Sequence, residues 1–204
     1  MQIRPMEQKD FEEVMSVMVR AFQNGALYRY VAPDEKVRTE FLEKVFRARL
    51  ASSLGQEEIH VAERKGQIVA TAIWIRPKPA AADKSKMTGA GALSGLPSDV
   101  IERWTGFTRI LLDAQRRSIR PPFWSLAPIA VLPEKQGRGI ASKLIRMQLA
   151  KIDAEHLPCF LATQDAPNVD IYHRYGFRVT GEDNIFDSGV VNYTMVRMPG
   201  TPEP

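Results

Sequence analysis

Apolar positions along this chain change period several times, and the changes divide it into elements. Residues 2–4 alternate briefly before Pro5 stops them, as a short strand would. From Asp10 the period becomes helical: Phe11, Val14, Met15, Met18 and Phe22 share a face, and Asn24-Gly25 ends the run. Asp10 and Glu13 have the spacing of a capping box. A second amphipathic helix is predicted over 34–50, with Val37, Phe41, Leu42, Val45 and Phe46 on its apolar side and Gly55 closing it. Two β-branched runs, 59–63 and 68–75, flank Arg64-Lys65-Gly66-Gln67, where Lys65-Gly66 predicts a hairpin turn.

Residues 76–97 then lose all periodicity. Pro77, Pro79, Gly89, Gly91, Gly95 and Pro97 stand among small residues, which predicts a mobile loop, either a lid over a substrate or a plain surface excursion. Asp99 and Glu102 repeat the capping-box spacing ahead of a helix to about 117. A strand over 123–132, a helix over 137–155, a short buried strand over 159–163 and a short helix over 168–175 follow. Strands over 178–180 and 190–198 close the chain. Early helices, a hairpin, strand–helix–strand–helix and two final strands imply an α/β fold with a mixed sheet, in one domain over 1–204.

Composition narrows the function classes. Apolar content of 44% and charged content of 25% are ordinary for a soluble globular protein. A net charge of +4 with no long basic block gives no reason to expect a nucleic-acid partner. Cys159 is the only cysteine, so neither an intramolecular disulfide nor a cysteine-based zinc site is expected, and no His/Asp/Glu spacing suggests a metal. No apolar run approaches the roughly 20 residues of a membrane span, and residues 1–7 lack the apolar core of a signal peptide. The expectation is a soluble, cytoplasmic protein.

Candidate chemistry concentrates where the strand over 123–132 gives way to a helix. Gln136-Gly137-Arg138-Gly139-Ile140-Ala141 is a turn whose glycines let a ligand approach the backbone, and the amides of residues 137–142 open a helix without intrahelical acceptors. No Ser, Thr, Asp or Asn stands immediately before that helix to cap it, which leaves the donors for an anion such as a phosphate. Arg138 adds a charged hydrogen bond. A dinucleotide fingerprint needs a third glycine where Ser142 stands, and a Walker loop needs Gly-Lys-Ser/Thr; a plain turn holding no ligand is the remaining alternative.

With these residues the sequence resembles the GCN5-related N-acetyltransferase (GNAT) family. Gln136, Gly139 and Ala141 fill the fixed positions of the family's Gln/Arg-x-x-Gly-x-Gly/Ala loop, and 168–177 resembles its Asn-x-x-x-Tyr-x-x-x-Gly-Phe segment through Asn168, Tyr172, Gly176 and Phe177. The order of elements agrees over nearly the whole chain. The resemblance implies a GNAT-like, mostly antiparallel sheet flanked by helices and splayed at the cofactor strands, with acetyl-CoA as co-substrate. It implies that backbone groups of Ile129, Ala130 and Val131 meet the pantetheine arm, that Gly137, Arg138, Gly139, Ile140, Ala141 and Ser142 cradle the pyrophosphate, and that Asn168 binds the arm. Tyr172 is the implied general acid toward the thiolate, with Tyr175 beside the cofactor as a substitute. Val131 N–H would polarise the thioester oxygen. Pro128 cannot donate to a ladder, so the strand must be open or bulged there.

The general base is open. The strand over 123–132 carries no carboxylate; Glu63, or Ser125 with a water chain, are candidates. His173 reads as an exposed helix residue, His60 as a strand residue, Cys159 as core, and Trp74 and Trp124 as packing or as walls of an acceptor pocket. The reaction implied is acetyl transfer to a primary amine of a small molecule. A protein or peptide acceptor and a catalytically weak acyl-CoA sensor are the alternatives. Specificity would lie in 22–35 and 76–97, and the closing strands over 178–198 offer a route to a homodimer.

Overall fold

The structure is a computed structural model and describes residues 1–77 and 90–201. Among the described residues seven strands form one sheet in the order β1-β2-β3-β4-β5-β7-β6. They are β1 (Gln2–Pro5), β2 (Glu58–Arg64), β3 (Gln67–Ile75), β4 (Trp124–Val131), β5 (Cys159–Thr163), β6 (Arg178–Asn184) and β7 (Val191–Arg197). Every neighbouring pair is antiparallel except β4 and β5. That exception follows from the connection: a full helix lies between them, whereas β2 and β3 are joined by a tight turn. In that turn Lys65 and Gly66 both take left-handed backbone, at φ 54° and 74°, as expected for a two-residue hairpin loop.

Among the described residues six α-helices flank the sheet: α1 (Phe11–Phe22), α2 (Ala26–Val31), α3 (Glu35–Ser53), α4 (Ser98–Ser118), α5 (Ile140–Ala154) and α6 (Ala166–His173). Arg197 and Thr194 are three apart on β7 and so face opposite sides of the sheet. Arg197 pairs with Asp153 of α5, and Thr194 Oγ1 meets Ser118 Oγ of α4 at 3.1 Å, which puts α5 and α4 on opposite faces. Aromatic contacts carry the α4 side on to the early helices: Trp104 meets Phe41 of α3 edge-on at 5.2 Å, and Phe46 meets Phe22 of α1 at 5.1 Å. Trp74 and Trp124 are fully buried in the same continuous core. No helix among the described residues is long and apolar enough to cross a membrane.

Local details differ from the sequence reading. Asn24-Gly25 follows the end of α1 as expected, but Gly25 then caps α2, a helix that the sequence reading did not include. Asp10 does not cap α1, because both its oxygens are held by Arg4, at 2.6 and 3.0 Å, and its cap bond goes back to Glu7 N–H. Asp99 likewise makes no cap bond and pairs instead with Arg103 one turn along α4. Asp34, by contrast, does cap α3, accepting from the amides of Lys36 and Val37. Of the expected loop over 76–97, residues 78–89 lie outside the described residues. Its last part is packed: Leu93 and Leu96 are buried, and Lys44 of α3 donates to Ser94 O at 3.1 Å.

Candidate active site

The site begins with a ladder that stops early. β4 pairs with β5 only through Trp124, Ser125 and Leu126, opposite Cys159, Phe160 and Leu161, although both strands continue. The cause is visible on the other edge of β4. Ala72 faces Ile129 and Trp74 faces Leu126, so Ala127 and Pro128 together oppose Ile73 as a bulge. Beyond it, Leu132 N–H donates to Val69 O at 3.0 Å. Backbone direction alternates along a strand, so Ala130 also turns its N–H and C=O toward β3. Ile129 and Val131 therefore turn theirs to the unpaired edge, where a polar ligand backbone can add as a strand does.

That edge leads into the turn. Gly137 and Gly139 sit at φ 70° and 71°, and Gly139 is the N-cap of α5 with no side-chain cap bond. Among the described residues the amides of 137–142 find no backbone acceptor. Gln136, Gly137, Arg138 and Gly139 are exposed, Ala141 and Ser142 half-buried, and Ile140 anchors the helix start in the core. Gln136 Nε2 donates to Val131 O at 3.1 Å, so its side chain ties the turn to the strand end and leaves Val131 N–H as the free group there. Amides without a backbone acceptor among the described residues, a helix dipole and Arg138 together suit an anion.

α6 supplies the third wall. Asn168 Nδ2 donates to Thr163 Oγ1 at 3.3 Å, which fixes it beside the end of β5. Tyr172 is buried, its ring edge-on to Phe177 at 6.0 Å, and among the described residues nothing hydrogen-bonds its hydroxyl. Burial pushes that phenol well above its usual range. Tyr175 is not spare: its hydroxyl meets Ser142 Oγ at 2.6 Å and Arg146 lies over its ring at 5.5 Å, joining α6 to the start of α5. Gly176, at φ 83°, lets Thr201 approach where a Cβ would stand 2.9 Å from it.

The remaining candidates fall elsewhere. Glu63 is committed to Arg4, which donates to it at 3.0 Å at the β1–β2 edge. Ser125 is buried on β4. Cys159 is wholly buried and its thiol is pushed up by that burial. His60 is half-buried with its basicity lowered chiefly by burial, and its Nδ1 is unpartnered. His173 is half-buried rather than exposed, with Nε2 enclosed and unpartnered. Trp124 donates to Glu155 at 2.7 Å and Trp74 is sealed in the core, so both pack. Among the described residues no group of three or more His, Cys, Asp or Glu side chains could hold a metal. One contact had no counterpart in the sequence reading: Arg49 of α3 reaches Ala127 O in the bulge at 3.0 Å.

Residues 103–198, which include β4, the turn, α5, β5 and α6, match the family model for the acetyltransferase (GNAT) domain. Among solved structures, the chain is similar over its full length to a histone acetyltransferase HPA2 and related acetyltransferase from Corynebacterium glutamicum, at 22% identity and a TM-score of 0.70, covering 98% of that protein. It is also similar to a GNAT family acetyltransferase from Brucella melitensis solved with acetyl-CoA, at 22% identity, a TM-score of 0.51, and coverage of 100% of this chain and 90% of that one. A third likeness is to the PaiA N-acetyltransferase of Thermoplasma acidophilum solved with coenzyme A, at 11% identity, a TM-score of 0.59, and coverage of 97% and 98%. At these identities the structural likeness is one of fold.

Proposed function

We propose that this chain, whose residues 103–198 match the acetyltransferase (GNAT) domain model, is an acetyltransferase of that family and moves an acetyl group from acetyl-CoA to a primary amine of a small molecule. The observation that carries the donor half is the β4–β5 ladder ending at Leu126, with an open edge that runs straight into uncapped helix amides. A CoA thioester has the matching layout: an amide-bearing arm for the edge, a pyrophosphate for the turn, and an activated acetyl group between them.

In this reading Ile129 and Val131 pair with the arm, Asn168 adds a side-chain hydrogen bond, and the amides of 137–142 with Arg138 hold the pyrophosphate. Val131 N–H, free while Gln136 occupies its carbonyl, polarises the thioester oxygen as negative charge grows there. The amine's nitrogen forms a bond to the acetyl carbon as the carbon–sulfur bond breaks. Tyr172, without a hydrogen-bond partner among the described residues and kept protonated by burial, gives its proton to the departing sulfur and takes one back from solvent once CoA has left. The amine's proton leaves by solvent, because β4 bears no carboxylate and Glu63 is held by Arg4.

That missing carboxylate also favours a second reading, an acyl-CoA sensor that binds without turnover. Titration calorimetry with acetyl-CoA, followed by CoA release over a panel of small amines and N-terminal peptides, tests both. Binding with turnover of small amines is the expected result. Turnover of peptides alone moves the acceptor class to proteins, binding without turnover leaves the sensor, and absence of binding refutes the donor assignment.

A further inference from the structure

The β4 bulge leaves a backbone carbonyl without a rung to join. Ala127 and Pro128 share Ile73 as their one counterpart on β3, and Pro128 brings no N–H. β5 offers no partner either, since its pairing with β4 ends at Leu126. A half-buried carbonyl in this position needs a donor from outside the sheet. Arg49 supplies it from 78 positions away: Nη2 donates to Ala127 O at 3.0 Å. The guanidinium is itself held. Glu57 accepts from Nη2 at 2.7 Å and from Nη1 at 3.4 Å, and its carboxylate is only 6% exposed. A planar cation gripped by a buried carboxylate presents its remaining N–H at a fixed angle, which a single-point ammonium does not.

We propose that Arg49 is a positioning residue: by capping Ala127 O it holds the bulge open and so turns Ile129 N–H toward the pantetheine arm and Val131 N–H toward the thioester. The inference rests on the reading of that edge as the acetyl-CoA site. Arg49 touches neither the ligand nor a reacting atom. Its effect comes through β4, where an unbulged strand would continue its ladder with β5 and close the slot. Two arrangements of one strand, open and closed, give Arg49 an equilibrium to bias.

Arg49→Leu and Arg49→Lys, compared with the wild type, test this by acetyl-CoA calorimetry, by KM and kcat, and by hydrogen exchange of the segment 124–132. The Leu variant is expected to bind acetyl-CoA about tenfold more weakly, as befits loss of a charge-assisted bond, to show a similar rise in KM, and to exchange faster in 124–132 than in β6 and β7. Arg49→Lys keeps a charge for Glu57 but cannot grip the carboxylate and reach Ala127 O at one fixed angle, and should recover only part of the lost affinity, falling between Arg49→Leu and wild type. Wild-type affinity with wild-type exchange in Arg49→Leu overturns the proposal, and so does exchange raised evenly through the sheet. If Arg49→Leu does not fold, Glu57→Gln frees the guanidinium to swing and the same outcomes decide. A wild type that binds no acetyl-CoA refutes the functional reading instead, and the exchange pattern alone then decides the role of Arg49 in the bulge.

Discussion

Tyr172→Phe isolates the proton-transfer step from everything else the site does. The hydroxyl has no hydrogen-bond partner among the described residues, so its removal strands no buried group. The ring keeps its edge-on contact with Phe177 at 6.0 Å. Folding stability should therefore change by about 0.5 kcal/mol or less, and acetyl-CoA affinity should stay within about threefold of wild type. A lost general acid costs about 10²–10⁴-fold in kcat, or about 2.7–5.4 kcal/mol on the barrier. Because burial raises the Tyr172 phenol above its usual value, the acid stays protonated through neutrality, and the wild-type kcat should show no alkaline loss from this group below about pH 10. The assay is steady-state CoA release read by a thiol reagent; Cys159 is fully buried and gives no background in the folded protein. A kcat within twofold of wild type would falsify the acid role, and a lower melting temperature alongside lower kcat would mark Tyr172 as a packing residue.

Three further perturbations read other parts of the molecule. Gly139→Ala places a side chain at φ 71° with no heavy atom within 4 Å, so its cost is conformational, about 1–2 kcal/mol; an unchanged thermal midpoint would contradict the left-handed cap. Asp153→Asn removes the partner of Arg197, which is 4% exposed, while Asp153 itself is 33% exposed, so destabilisation near the low end for such pairs, about 3 kcal/mol, is expected in urea. The Arg197 hydrogen bond, with smaller help from Gly200 N–H, holds the Asp153 carboxyl below its usual range. Below about pH 3.9 the unfolded chain binds this proton first. The wild type should thus lose this contribution as pH falls through the lowered value, and equal acid sensitivity in Asp153→Asn would count against it. Glu63→Gln should leave kcat within about twofold, because its carboxylate serves Arg4; a hundredfold loss would restore Glu63 as the base.

How much of this was legible in the sequence depended on how local each cause is. The Lys65-Gly66 hairpin and the β4 irregularity at Pro128 follow from backbone limits of one or two residues, and each stands where the chain implies it, whereas α5 begins at Ile140 after a left-handed Gly139, three residues later than expected. Helix caps were less readable, since a carboxylate's partner is settled in three dimensions. Asp10 and Asp99 have cap spacing but face Arg4 and Arg103, whereas Asp34 has no such rival and caps. β6 extends to Asn184 beyond the three residues expected because Gly181-Glu182-Asp183-Asn184 is polar, as an edge strand can be. Helix α2 hid behind an Asn-Gly pair that usually ends structure. Arg49 gave no signal at all, because its meaning depends on a carbonyl 78 residues away.

Three residue pairs join the two leaves of this sheet, Trp124–Leu126 against Cys159–Leu161. One leaf holds β1 to β4 and the other β5, β7 and β6, so the molecule is a wall with most of one seam unmortared. Whatever lies along the free edge of β4 becomes part of the masonry for as long as it stays. A ligand at a hundred times its dissociation constant would add about 2.7 kcal/mol to the stability of the folded state. On the proposed reading, product departure withdraws a structural member from that seam.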